Sequence, residues 1–211
     1  LLVPIDQRSS SMPLITRTIR EQVTNQIRDE VVAGKLPPGQ PLRESELAER
    51  FGVSRGPIRD AFLQLSQEGF LAYHANRGVT VRTRLKDENR EFIVSLRQQI
   101  ECFVVRRGLD ELRSGEFASI KSALDELKEA CKGDDVVTVA KCDMAFHEAI
   151  LVACGGGDFL SVWKLLCMQM LLTYTRLDNH QQVYDEHLAI LAALESGPKQ
   201  ALMAAIKANI R

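Results

Sequence analysis

Residues 37–71 read PPGQPLRESELAERFGVSRGPIRDAFLQLSQEGFL, and they decide the fold. Two short amphipathic segments, ESELAERF and SRGPIRDAFLQLSQEG, are separated only by Gly52-Val53. Leu47, Phe51, Ile58, Phe62 and Leu65 are spaced so that they can face one another across that turn. Ser54 stands where an N-cap belongs, and Pro57 falls in the first turn of the second helix, where a missing N–H does no harm. Two short helices joined by a glycine-containing turn predict a helix-turn-helix.

Upstream, TIREQVTNQIRDEVVAGKLPPG repeats an apolar residue every fourth position, at Ile19, Val23, Ile27 and Val31, before Gly34. That spacing predicts one more helix with a glycine stop. Downstream, FLAYHANRGVTVRTR changes period. Its polar tip Ala75-Asn76-Arg77-Gly78 and the alternation of Val79 and Val81 with Thr80 and Arg82 predict a β-hairpin, the only sheet expected. From about Leu85 onward the pattern is helical throughout, in six segments ending with PKQALMAAIKANI. The expected architecture is mostly α. A mobile arm (1–14) precedes a winged helix-turn-helix (15–83), and an all-α bundle of six or seven helices (84–211) follows.

The 211 residues are 45% hydrophobic and 26% charged, an ordinary globular balance that excludes disordered and fibrous classes. No run approaches the ~18 apolar residues of a membrane helix, and LLVPIDQRSSSMPLIT has neither a basic n-region nor a continuous apolar core. A cytoplasmic location with no membrane partner is expected. Residue 1 is Leu, which leaves an upstream start open. Five cysteines form no CxxC pair and are expected to be reduced. Residues 1–83 carry 11 Lys and Arg against 9 Asp and Glu, whereas 84–211 carry 16 against 19. A slightly basic N-terminal unit joined to an acidic one keeps nucleic-acid binding open.

Arg55 and Arg59 are i, i+4 at the N-terminal end of the second helix of the pair, so both guanidinium groups leave one face. They are either solvated surface arginines or groups that fork onto guanine edges and phosphates. The whole stretch resembles the N-terminal domain of the GntR family of bacterial transcription regulators, whose usual form is close to LxExxLAxxxGVSRxPVRxALxxLxxEGLV. The helical remainder resembles the FadR C-terminal domain, FCD, of one GntR subfamily. The resemblance implies a homodimer on a short palindromic double-stranded DNA operator, contacted by Ser54, Arg55 and Arg59, with Arg43 at phosphate and Arg77-Gly78 in the wing. Gly56 replaces the Thr usual in the family and removes a hydroxyl that could hold phosphate.

In KCDMAFHEAI, Asp143 and His147 are one helical turn apart, which suits either a hydrogen bond or a shared ion. By resemblance to metal-binding FCD domains, His187 of the Glu186-His187 pair would join them. Asn209 stands where the family has a last histidine, leaving three strong ligands and a weak fourth for a divalent ion such as zinc or nickel. The effector implied is a small carboxylate. Arg97 is either its anchor or the salt-bridge partner of Glu101, and Arg176 is a second candidate. Trp163, Met168 and Met170 are expected in the core, and His74 and His180 at the surface. The absence of HExxH, GxSxG, P-loop and GxGxxG motifs, and of paired ExxH motifs, argues for a regulator and not an enzyme. The alternatives are a metal-dependent helical-bundle enzyme and a winged-helix interaction protein that binds no DNA.

Overall fold

The structure, a computed structural model, describes residues 18–74, 78–83, 85–171 and 179–211. The proposed arm, Arg77 and Arg176 lie outside the described residues. Helix α1 (Ile19–Val32) opens with a capping box: Thr18 Oγ1 accepts from the Glu21 amide, and the Glu21 carboxylate accepts from the Thr18 amide. Helices α2 (Glu44–Phe51) and α3 (Arg55–Gln67) are joined through Gly52, whose φ of 66° is the left-handed turn a glycine takes without strain. Ile27, Ile58, Phe62, Leu65 and Phe70 close the core of this unit. Arg28 of α1 pins the end of α3 by donating from Nε and Nη2 to the Glu68 carboxylate.

The hairpin forms as β2 (Leu71–His74) and β3 (Gly78–Val81), with Gly78 at φ 80°. It is not the only sheet partner. Pro41–Leu42 forms a third strand, β1, in the order β1-β3-β2, pairing Pro41 with Thr80 and Leu42 with Val79. The strand is too short to show alternation in sequence. Pro41, which has no N–H to give, stands at an edge as strand prolines must.

The second unit is built from α4 (Asp87–Ser114), α5 (Ala118–Ala130), α6 (Val136–Ala153), α7 (Leu160–Leu171), α8 (His180–Ser196) and α9 (Lys199–Asn209). A short 3₁₀ turn (Gly157–Phe159) leads into α7. Leu109, Ile120, Leu127, Phe146, Trp163, Ile190 and Leu202 are among its buried side chains. All five cysteines are free, and burial pushes the Cys154 and Cys167 thiols up to about 11 and about 12, so neither offers a thiolate at neutral pH. Among the described residues no helix is long and apolar enough to cross a membrane.

Helix α4 crosses the end of α6 at Gly108. A Cβ placed there would overlap the carbonyl oxygen of Cys154 and stand 2.6 Å from its Cα. Backbone atoms on the far side have little room to give, so Gly108→Ala is expected to cost about 3 kcal/mol, lowering Tm by about 6 to 12 °C. A thermal melt that moves by less than a degree would show that the two helices can part.

The two units share a seam. Ala140 and Leu171 are buried in the core cluster of the winged unit, with Met144 and Met168 packed against it. Lys141 Nζ donates to Asp29 Oδ2 of α1 at 2.7 Å, and a cavity of about 280 Å3 between α1, α6 and α7 runs alongside.

Candidate DNA-reading face and buried ligand cluster

At the exposed end of α3, Arg55 is the first helical residue and Arg59 follows one turn later, both turned to solvent. Ser54 occupies the N-cap position, but its hydroxyl makes no capping hydrogen bond, contrary to the expected cap, and so stays available to a ligand. Arg59 Nε donates to Glu44 Oε2 at 2.7 Å, and Arg43 Nη1 donates to Glu46 Oε1 at 3.1 Å. A cavity of about 480 Å3 is lined by Arg43, Glu44, Ser45 and Arg55 on one side and by Tyr73 and Gly78 of the hairpin on the other. Helix α3, the start of α2 and the wing therefore converge on one concave surface. A Cβ at Gly56 would meet only Ser54 Oγ, at 3.9 Å, so packing does not demand the missing side chain there.

The second site is internal. Asp143 and His147 project from α6, His187 from α8 and Asn209 from the end of α9. One ligand atom from each of Asp143, His147 and His187 lies within 4.8 Å of the others. All four residues are at least 96% buried.

His187 Nδ1 donates to the Val183 carbonyl at 2.7 Å, a bond within α8 that fixes the ring and leaves Nε2 facing inward. That Nε2 lies 2.7 Å from Asp143 Oδ1, a separation at which the two atoms either share a proton or flank a cation that takes its place. His147 repeats the arrangement: Nδ1 lies 2.8 Å from Glu101 Oε2, while Nε2 faces Asn209 Oδ1 at 2.9 Å. Asn209 Nδ2 donates to Glu186 Oε2 at 3.3 Å, which turns the amide oxygen toward the histidine. These donors fit a divalent ion: two imidazoles, one carboxylate and an amide oxygen, with each ring anchored from behind. Burial alone would raise the Asp143 carboxyl, but His187, His147 and Arg97 outweigh it and hold it below the usual carboxylate range.

Beside this cluster, Arg97 and Glu101 form a salt bridge, Nε to Oε1 at 2.8 Å, with both side chains 4% exposed. Trp163 Nε1 also donates to Glu101 Oε1, at 2.7 Å. Burial pulls the Glu101 carboxyl up, but His147, Arg97 and the Trp163 N–H bring it down to about 2, so it stays ionised. Arg97 Nη2 is buried without a partner. The two sequence readings of Arg97 are thus compatible, because one nitrogen serves Glu101 and another is left over.

Glu101 is the residue that sequence reasoning missed. Only its i, i+4 spacing from Arg97 was visible, and that spacing is common on exposed helices. Trp163, expected as plain core, is buried but also polar in function. His74 is exposed and shares a hydrogen bond with Thr80 Oγ1, while His180 is half-buried, with Nδ1 donating to the Gly133 carbonyl.

Comparison with known proteins agrees with this arrangement. Residues 19–81 match the family described as bacterial regulatory proteins, gntR family, and residues 92–211 match the FCD domain. The chain is 27% identical over 188 residues to the probable D-xylose utilization operon transcriptional repressor of Paenarthrobacter nicotinovorans, covering 86% of this chain and 82% of that one. It is 29% identical over 137 residues to the HTH-type transcriptional repressor RspR of Escherichia coli K12, covering 64% of this chain and 59% of that one. A crystal structure of a GntR regulator from Rhodococcus sp. RHA1 superposes with a TM-score of 0.75 at 25% identity, covering 90% of this chain and 93% of that one. A winged helix with an exposed arginine pair on α3, joined to a helical bundle with a buried ligand cluster, and the matches over residues 19–81 and 92–211 place the chain in the GntR family of DNA-binding transcription regulators, with an FCD effector domain.

Proposed function

We propose that this regulator binds a short palindromic operator as a homodimer and responds to a small carboxylate held beside a divalent metal in the bundle. Residues 15–83 form the DNA-binding unit in this reading, and residues 84–211 the effector-binding and dimerisation unit. Arg55 and Arg59 read DNA from α3, with Ser54, Arg43 and Gly78 at its edges. Asp143, His147, His187 and Asn209 would hold the ion, zinc or nickel by donor type. The ion would supply a Lewis-acidic partner for the effector carboxylate. The observation that carries the ligand reading is the convergence of one ligand atom each from Asp143, His147 and His187 within 4.8 Å, suited to a cation, beside the buried and unpartnered Arg97 Nη2, suited to an anion. Phe92, Phe103, Val162 and Leu165 leave α4 and α7 with apolar side chains 41% to 63% exposed, a face suited to a second copy of this chain.

Helix α6 supports the coupling between sites. Asp143 and His147 face the cluster, whereas Ala140, Lys141 and Met144 on the same helix face the winged unit. The cluster is enclosed, so an acid reaches it only when the helices part, and a shift of α6 moves the seam. Effector and operator then alter each other's affinity by the same factor.

The test starts from metal-stripped protein. Added zinc or nickel at 100 times its Kd should stabilise by about 2.7 kcal/mol, raising Tm by about 5 to 11 °C, and His147→Ala should lose that rise. Small organic acids should then raise Tm further only with metal present. Stabilisation by acids without metal would leave Arg97 as the anchor and overturn the metal-bridged site. Operator affinity that is unchanged at saturating acid would remove the coupling.

A further inference from the structure

Glu44 is a carboxylate on a surface that has to approach polyanionic DNA, where a negative charge is costly unless it has a task. It is the first residue of α2, and its Oε2 accepts from Arg59 Nε at 2.7 Å across the helix-turn-helix. The side chains of Arg59 and Glu44 are 62% and 32% exposed, an exposure at which an ion pair contributes little to folding. Its effect falls on the arginine's geometry.

A guanidinium presents two forked edges, one made by Nε with an Nη and one made by the two Nη groups. With Nε held by Glu44, the end-on Nη pair remains free, and that fork matches O6 and N7 of guanine. Tyr73 of β2 completes the surroundings: partial burial and the nearby Glu44 charge raise its hydroxyl above the ordinary value, against the opposing pull of Arg59. Arg59 is thus tied to Glu44 of α2, which itself lines the cavity shared with Arg43, Arg55 and Tyr73 of the wing. Arg55 differs, since no hydrogen bond or ion pair holds its side chain among the described residues. The Arg43–Glu46 pair differs too, because both partners sit at one end of α2 at 73% and 63% exposure and tie no two elements together.

From this geometry we infer that Glu44 is a positioning residue that sets operator discrimination, by orienting Arg59 for a base edge and repelling phosphate wherever Arg59 finds no guanine. Arg55, unrestrained, serves the phosphates. The inference rests on the operator reading above.

The test uses the full-length dimer and a duplex library with a randomised core, selected with wild-type protein. Kd is measured for the enriched duplex and for a shuffled version at several salt concentrations. Glu44→Gln should lower the ratio of enriched to shuffled affinity by about fivefold to tenfold, with shuffled binding equal or tighter. Glu44→Asp should recover part of the ratio. Arg55→Ala should weaken both duplexes by a similar factor and flatten the salt slope by about 0.9 for each phosphate left unneutralised. Glu44→Gln that leaves the ratio unchanged, or weakens both duplexes equally at an unaltered melting temperature, overturns the inference alone. Failure to enrich any sequence overturns the operator reading and the inference with it.

Discussion

Glu101→Ala should lower the melting temperature of the metal-free protein by about 6 to 20 °C, the largest single-residue effect expected in the bundle. The carboxylate receives Arg97 Nε and Trp163 Nε1 on Oε1, and His147 Nδ1 lies against Oε2, with separations of 2.7 to 2.8 Å. Alanine would strand a guanidinium that is 4% exposed, together with an indole N–H whose residue is fully buried. Removing one partner from a buried ion pair costs about 3–5 kcal/mol, because the remaining charge has neither water nor counter-charge. Glu101→Gln keeps an acceptor for some of these donors and should fall between wild type and alanine. Trp163 is the single tryptophan of the chain and sits against the substituted position, so its fluorescence reports unfolding from within the cluster. A loss below about 1 kcal/mol would mean that water reaches Arg97 in solution. His147 would also be without the group that orients its ring, so weaker zinc or nickel binding by about 10- to 100-fold should accompany the loss of stability.

The double substitution Arg55→Ala/Arg59→Ala should reduce affinity for a selected operator by at least about a thousandfold. A dimer presents the pair twice, and each charge-assisted guanidinium contact, Arg59 with a base and Arg55 with phosphate, is worth about 1–3 kcal/mol, so even the lowest sum reaches about 4 kcal/mol. Both side chains are exposed and lie outside the cores of both units, so melting and metal stabilisation should match wild type. That contrast separates a regulator from a metal-dependent bundle enzyme, whose turnover would ignore α3. It also separates a regulator from a winged-helix interaction protein, which would never have bound the operator. Operator binding retained in the double variant would move the DNA-reading surface away from the end of α3.

The winged unit was largely legible in sequence because its elements are local. Apolar residues every fourth position mark α1, and Gly52 marks the turn before α3. The hairpin strands appear as a change of period from helical to alternating. What escaped reading depended on a partner: β1 exists because β3 offers it an edge, and Ser54 takes the N-cap position while its hydroxyl stays uncommitted.

The sequence by itself determined the order of the helices and the hairpin and the family, and it put Asp143 and His147 on one face of a helix; resemblance to that family added His187 and Asn209 as candidate ligands. Only the tertiary structure decided what the polar groups do. Glu101 meets His147 across 46 residues of sequence and Trp163 across 62, and Asn209 is turned toward His147 by Glu186, 23 residues earlier. Helical period says which side chains share a face, but not which faces meet. That is settled when α4, α6, α7, α8 and α9 bury their apolar stripes together and force every polar group caught between them to find a partner or wait for a ligand.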